Sequence, residues 1–272
     1  TGLNINLTLE PFSISLISRT DGEILKINSQ NLFNYENGSN LPFHEIVPSI
    51  TQQKNTDLWK EPEFSTKSQD IRAKGPMSMG VDISFIESKA LFGIPEHATS
   101  LALKSTRGIN NMTDRVYTRS DPYRLFNLDV FEYELDSTMA LYGAIPIMLG
   151  HNPQGSSHRS VGVFWNNPSE TWVDVYDKTH NAGKLTHWMS ESGTFSLYMF
   201  AGKDLKALQK IIKSINGAPQ LPPLFSLGYH QCRWNYKTIE DVLQVNSKFD
   251  EHSLPMDVIW LDIEHTDGKR YM

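Results

Sequence analysis

Only one of the 272 residues is cysteine, Cys232, so no internal disulfide can form. A cysteine-poor chain leans towards a reducing compartment. Blocks of lysine or arginine are missing too: 25 basic residues face 31 acidic ones, scattered along the chain. With no basic patch to hold a phosphate backbone, nucleic acid is not an expected partner. No apolar run reaches the roughly 20 residues that span a bilayer. The first residues, "TGLNINLTLE", have neither a basic n-region nor an apolar h-region, so they say nothing direct about targeting. The chain reads as soluble with no membrane span. His151, His158, His180 and His187 are scattered, and the Glu96-His97 pair in "GIPEH" lacks the i, i+4 placement of a zinc helix. Neither a metal nor a cofactor is expected, and "GIPEH" reads as a structural loop.

What is present is alternation. The first 220 residues hold short runs of period two broken by turn residues, the pattern of an antiparallel sandwich. In "FSISLISRTDGEILKINS" Phe12, Ile14 and Leu16 share a face, and Asp21-Gly22 supplies a hairpin turn before Ile24 to Ile27. A second hairpin is expected in "VGVFWNNPSETWVDVY", with Asn166 to Glu170 as its turn. Residues 51–75 are polar and unpatterned and read as a long surface insertion.

At Lys203 the period changes. Leu205, Leu208, Ile211, Ile212 and Ile215 recur at helical spacing until Gly217 and the prolines 219, 222 and 223 stop them. A domain boundary is placed here, giving a sandwich over residues 1–220 and a second domain from 221. Beyond it come an apolar strand, "LFSLGYHQCRW", a helix opened by Thr238 and Asp241 as an acidic capping box, and a strand, "MDVIWLDI". Strand, helix, strand implies two parallel strands joined by a crossover.

The strands end in His230, Arg233 and Trp234, and in Asp262, Glu264 and His265. In a βα barrel the carboxyl ends of the strands build the active site. The 52 residues from Leu221 to Met272 hold only two strands, whereas a complete barrel takes about 250 residues. The expected fold is therefore mostly β: an amino-terminal β-sandwich followed by the first βα unit of an incomplete (β/α)8 barrel.

The motifs "LPPLFSLGYHQCRWNY" and "LPMDVIWLDIEHTDGKRYM" resemble glycoside hydrolase family 31. So do "FGIPEHATSLALK", "PYRLFNLDVFEYEL", "MALYGAIP", "ETWVDV" and "HWMSESG", in the same order. The resemblance covers most of residues 77–272. It implies a galactose-mutarotase-like sandwich packed on a catalytic barrel, with a sandwich loop reaching the sugar site. Asp129 in "YRLFNLDVF" and Asp262 in "WLDIEH" match the family's substrate-binding aspartates. Trp234 matches the aromatic wall of the pocket, and Phe131 stands beside Asp129 as a further aromatic. A carboxylate can accept hydrogen bonds from neighbouring sugar hydroxyls, and an indole face can cover pyranose C–H groups.

By the same resemblance the activity is retaining hydrolysis of terminal α-linked glucose, on glucosylated high-mannose N-glycans or another α-glucoside. The expected setting is glycoprotein processing in the endoplasmic reticulum lumen, with a noncatalytic β subunit as partner. Retaining glycosidases need two carboxyl groups about 5 to 5.5 Å apart; the family's pair lies on later strands, so no catalytic residue is expected before Met272. Other readings stay open. Asp262 could be a strand-end carboxylate serving local backbone donors, Trp234 a packing tryptophan, and Asp129 a solvated strand residue. The substrate could instead be glycogen or maltose in the cytosol, or the chain a noncatalytic carbohydrate-binding sandwich. The sequons at Asn6, Asn37 and Asn111 would carry glycans only in a secretory lumen.

Overall fold

The computed structural model describes residues 2–37, 76–107, 121–178 and 183–271. The insertion expected at 51–75, the sequon at Asn111 and His180 lie outside them. The chain divides into two compact units, Thr1–Ile215 and Asn216–Met272.

The first unit carries twelve strands among the described residues: β1 (Leu3–Leu9), β2 (Phe12–Ser18), β3 (Gly22–Ile27), β4 (Asn34–Asn37), β5 (Pro76–Ile86), β6 (Ala90–Gly93), β7 (Tyr123–Leu125), β8 (Ile147–His151), β9 (Ser160–Trp165), β10 (Thr171–Asp177), β11 (Gly183–Ser190) and β12 (Leu197–Gly202). A helix, α1 (Leu205–Asn216), follows. One sheet runs β1-β2-β3-β5-β11-β10-β7, with β4 also on β5; the other runs β12-β9-β8-β6. All of these pairings are antiparallel.

Alternation builds the core. Leu25, Ile27, Val81, Ile83, Phe85, Val173, Val175 and Trp188 of the large sheet meet Leu91, Met148, Val161, Val163 and Trp165 of the small one. The Trp165 and Trp188 rings stack with centroids 5.8 Å apart across the gap. Truncating either fully buried ring to alanine would cost about 3–5 kcal/mol. The run Ile147-Met148-Leu149 is apolar throughout because both faces of the small sheet are covered. Met148 enters the sandwich core, while Ile147 and Leu149 pack with Phe200 against Leu208 of α1. Asp204 caps that helix, accepting the Ala207 N–H at 2.8 Å.

The β2–β3 hairpin forms where the sequence places it, with Ile14 opposite Ile27 and Leu16 opposite Leu25. Gly22 adopts φ 73°, a left-handed backbone that the turn requires and glycine takes without strain. The second expected hairpin does not form. β9 pairs with β8 and β12, and β10 with β7 and β11, so residues 166–170 cross from one sheet to the other. The buried Asn167 holds this crossing by accepting the Ser169 N–H at 2.9 Å and donating to the Ser192 carbonyl at 2.7 Å. The Trp165 indole donates to Ser190 Oγ, joining the sheets at 2.9 Å.

The second unit holds β13 (His230–Gln231), α2 (Ile239–Glu251) and β14 (Val258–Ile259). The two short strands are parallel, His230 opposite Val258 and Gln231 opposite Ile259. Thr238 and Asp241 form the expected capping box of α2. The apolar stretch before β13 is not a strand but a 3₁₀ turn, Leu224–Leu227. Here the Pro223 carbonyl accepts both the N–H and the hydroxyl of Ser226, diverting the backbone from extended pairing. β14 is likewise short, and a 3₁₀ turn, Ile263–His265, follows Asp262.

Candidate functional site

In the second unit, polar groups gather past the carboxyl ends of β13 and β14. His230 is satisfied internally: Nε2 donates to the Ser226 carbonyl at 2.8 Å, and Nδ1 accepts the Trp260 indole N–H at 2.8 Å. Gln231 donates to the hydroxyl of Tyr236, which is only 5% exposed. Trp234 follows that strand end and is 54% exposed. Asp262 is exposed; its Oδ1 accepts the Ile263 N–H at 2.7 Å, and its carbonyl accepts from His265. One carboxylate oxygen of Asp262 therefore serves a local backbone donor. Glu264 turns inward, its Oε1 accepting the Asn235 N–H at 2.9 Å.

In the first unit, Asp129 lies in the irregular segment after β7, not on a strand. The Tyr142 hydroxyl donates to Asp129 Oδ1 at 3.1 Å and to the Val130 carbonyl at 2.8 Å. Sharing its proton with the Asp129 carboxylate, and to a lesser extent burial, holds that hydroxyl above the ordinary tyrosine range. Asn127 donates to the Tyr142 carbonyl at 2.7 Å, and the Leu128 N–H to Leu141 at 2.8 Å, so residues 127–130 lie along 141–142. Phe131 is 87% exposed.

The base of this loop pair is pinned by "GIPEH". Glu96 accepts the Gly143 N–H on its side chain at 2.7 Å and on its carbonyl accepts the Leu141 N–H at 3.2 Å; its own N–H reaches Gly143. His97 donates from Nε2 to the Arg124 carbonyl at 2.7 Å, and burial lowers its pKa, keeping the ring neutral. Arg124 in turn binds Glu170 at 2.6 Å and lies over the Phe126 ring. A groove of ≈ 670 Å³ beside it is lined by Phe126, Phe164, Asn166 and Glu170 among others, and includes neither Asp129 nor Phe131. The motifs "MALYGAIP" and "GIPEH" give no sign in the sequence that Tyr142 and Glu96 support the Asp129 segment. No local spacing links residues 13 and 33 positions away.

The profile described as the glycosyl hydrolase 31 N-terminal galactose mutarotase-like domain matches residues 1–174, and that of the glycosyl hydrolases family 31 TIM-barrel domain matches residues 219–272. The chain belongs to glycosyl hydrolase family 31. Among its relatives is neutral alpha-glucosidase AB of Dictyostelium discoideum, 50% identical over 221 residues, which are 80% of this chain and 22% of that protein. The glucosidase 2 subunit alpha of Schizosaccharomyces pombe is 42% identical over 271 residues, 97% of this chain and 27% of that protein. A crystal structure of an ER glucosidase II heterodimeric complex, of catalytic subunit and binding domain of the regulatory subunit, superposes with a TM-score of 0.79 at 39% identity. It covers 99% of this chain and 28% of that one. The chain thus spans about a quarter of the length of these relatives. In family terms, residues 219–272 begin the barrel domain and the twelve strands before them form the sandwich.

Proposed function

We propose that the protein to which this chain belongs is a retaining α-glucosidase that removes terminal α-linked glucose from high-mannose N-glycans in the endoplasmic reticulum lumen. The observation that carries the reading is the 42% identity to a glucosidase 2 subunit alpha across 97% of the chain. The sandwich domain is assigned to residues 1–220 and the barrel domain begins at 221. Asp129 with Phe131, and Asp262 with Trp234, act as substrate-binding groups. Each pair offers a carboxylate to accept sugar hydroxyls beside an aromatic face to cover ring C–H groups. The nucleophile and the acid/base lie beyond Met272, so this segment recognises without cleaving. A noncatalytic β subunit is the proposed partner; the similar solved complex pairs a catalytic subunit with the binding domain of a regulatory subunit, which supports that reading.

A second reading is a cytosolic neutral α-glucosidase acting on glycogen-type or maltose substrates; the 50% identity to a neutral alpha-glucosidase AB speaks for the activity and names no substrate. One assay separates them. The full-length gene product is given a glucosylated high-mannose glycan and maltose in parallel, and the 272-residue chain is run as a control. Preferential glucose release from the glycan supports the N-glycan reading; faster release from maltose supports the other. A full-length product that binds either sugar and cleaves neither refutes the enzyme and leaves a binding module.

A further inference from the structure

The two residues assigned to sugar recognition in the second unit stand on separate loops. Trp234 sits on the loop after β13, and Asp262 opens the turn after β14. Both are exposed, and the strands below them pair over only two residues each. So short a ladder fixes the strand ends but leaves the direction of the loops to other contacts.

Glu264 makes such a contact. It lies two residues past Asp262, in the 3₁₀ turn that Asp262 opens, and its Oε1 accepts the backbone N–H of Asn235, the residue directly after Trp234. Asn235 adopts φ 87°, a left-handed conformation that asparagine takes more readily than other non-glycine residues, and the bond to Glu264 holds it there. The other carboxylate oxygen, Oε2, is buried and has no hydrogen-bond partner among the described residues. A buried unpaired carboxylate oxygen is costly. The residue thus carries two opposed contributions to stability, the Oε1 bond to the Asn235 N–H and the desolvation of the unpaired Oε2.

We propose that Glu264 is a positioning residue that locks the Trp234 loop to the Asp262 turn and so fixes the angle between the aromatic face and the carboxylate that grip the sugar. The inference rests on the reading of Trp234 and Asp262 as substrate-binding groups. Glu264 acts through its neighbours: its inward oxygen holds a backbone N–H, and the two exposed side chains inherit the geometry. Sub-ångström placement of binding groups is what separates a productive pocket from a loose one.

The test uses the full-length gene product and a chromogenic terminal α-glucoside. Glu264→Ala removes the acceptor, and Glu264→Asp keeps the charge but is one methylene too short to reach Asn235. Both are expected to raise KM about tenfold, the loss of one charge-assisted hydrogen bond, with a much smaller change in kcat. Glu264→Gln keeps an oxygen at the same reach and is expected to recover most of that loss. Thermal midpoints measured alongside report any general damage, which would lower all three variants without splitting KM from kcat. Trp234→Ala and Asp262→Asn are assayed in parallel. If these two leave kcat/KM at the parent value, the sugar-binding reading itself falls. If they lower it while Glu264→Ala and Glu264→Asp leave KM unchanged, the positioning role is wrong. It is equally overturned if Glu264→Gln is as impaired as Glu264→Ala, because charge rather than reach would then be what matters.

Discussion

Replacing Asp21 by alanine tests how the two sheets are held together at one end. Asp21 sits in the β2–β3 turn of the large sheet, with its side chain 10% exposed. Its carboxylate accepts the backbone N–H groups of Ser156 at 2.6 Å, Ser157 at 3.2 Å and His158 at 3.1 Å, all from the connection between β8 and β9 of the small sheet. The hydroxyls of Ser18 and Thr20 add bonds of 2.9 and 2.7 Å. Alanine removes all five at once, but Ser156 and Ser157 are exposed, so water can replace part of what is lost. The expected cost is about 2–3 kcal/mol, close to one or two charge-assisted bonds. For a unit of this size that is a fall in Tm of roughly 5–10 °C.

Burial alone would raise the pKa of Asp21, yet the bonds from Thr20, Ser156, Ser18 and Ser157 outweigh it and hold the folded value far below the ordinary carboxylate range. A carboxylate depressed in the folded state contributes stability above its unfolded pKa of about 3.9 and loses it as pH falls towards the folded value. The gap between the parent chain and Asp21→Ala should therefore be constant from pH 7 to about 5 and shrink below about 4. Urea unfolding of both chains at pH 7, 5 and 3 measures it. A gap under about 0.5 kcal/mol at pH 7, within the range of ordinary surface substitutions, or one that widens on acidification, would refute the reasoning.

Other expectations follow from single contacts. A Cβ added at Gly162 would lie 2.2 Å from the Phe200 ring, so Gly162→Ala should overpack the small sheet and cost about 1–3 kcal/mol, read by denaturant unfolding. Thr238→Ala breaks the capping box of α2 and should raise amide exchange in its first turn, consistent with a loss of about 1 kcal/mol. Tyr142→Phe deletes the hydroxyl bound to Asp129 and the Val130 carbonyl, and should lower kcat/KM of the full-length protein on a terminal α-glucoside by roughly tenfold or less while leaving its fold intact. Trp165→Phe removes the indole N–H that reaches Ser190 across the sandwich; because Ser190 Oγ keeps its bond to Thr171 Oγ1 at 2.6 Å, a destabilisation of about 1–2 kcal/mol in thermal unfolding is expected from the lost hydrogen bond and the smaller ring.

Much of the architecture is legible in the residues because it is set locally. Period-two alternation in residues 12–27 specifies a hairpin whose faces match, and Asp21-Gly22 supplies its turn. The helix from Leu205 and the capping box at Thr238 follow from apolar spacing and side-chain acceptors within four residues. Strand, helix, strand after residue 220 was enough to expect the parallel pair of β13 and β14. The candidate site was legible only through motifs that resemble the family's, which single out Asp129 beside Phe131 and, 28 residues apart, Trp234 and Asp262.

What the sequence left undecided is partnership. The alternation in β9 and β10 says which side of each strand is buried, yet a strand facing the core from the large sheet reads the same as one facing it from the small sheet. Only packing of Trp165 on Trp188, with Asn167 holding the crossing, puts them in different sheets. "LFSLGY" alternates well enough for a strand until the Pro223 carbonyl captures Ser226. The support of Asp129 by Tyr142 and Glu96, and of the Trp234 loop by Glu264, joins residues far apart in sequence. Side-chain period fixes which face of a segment is buried, because that depends on a few neighbouring residues; what lies against that face is chosen by contacts that exist only once the whole chain has folded.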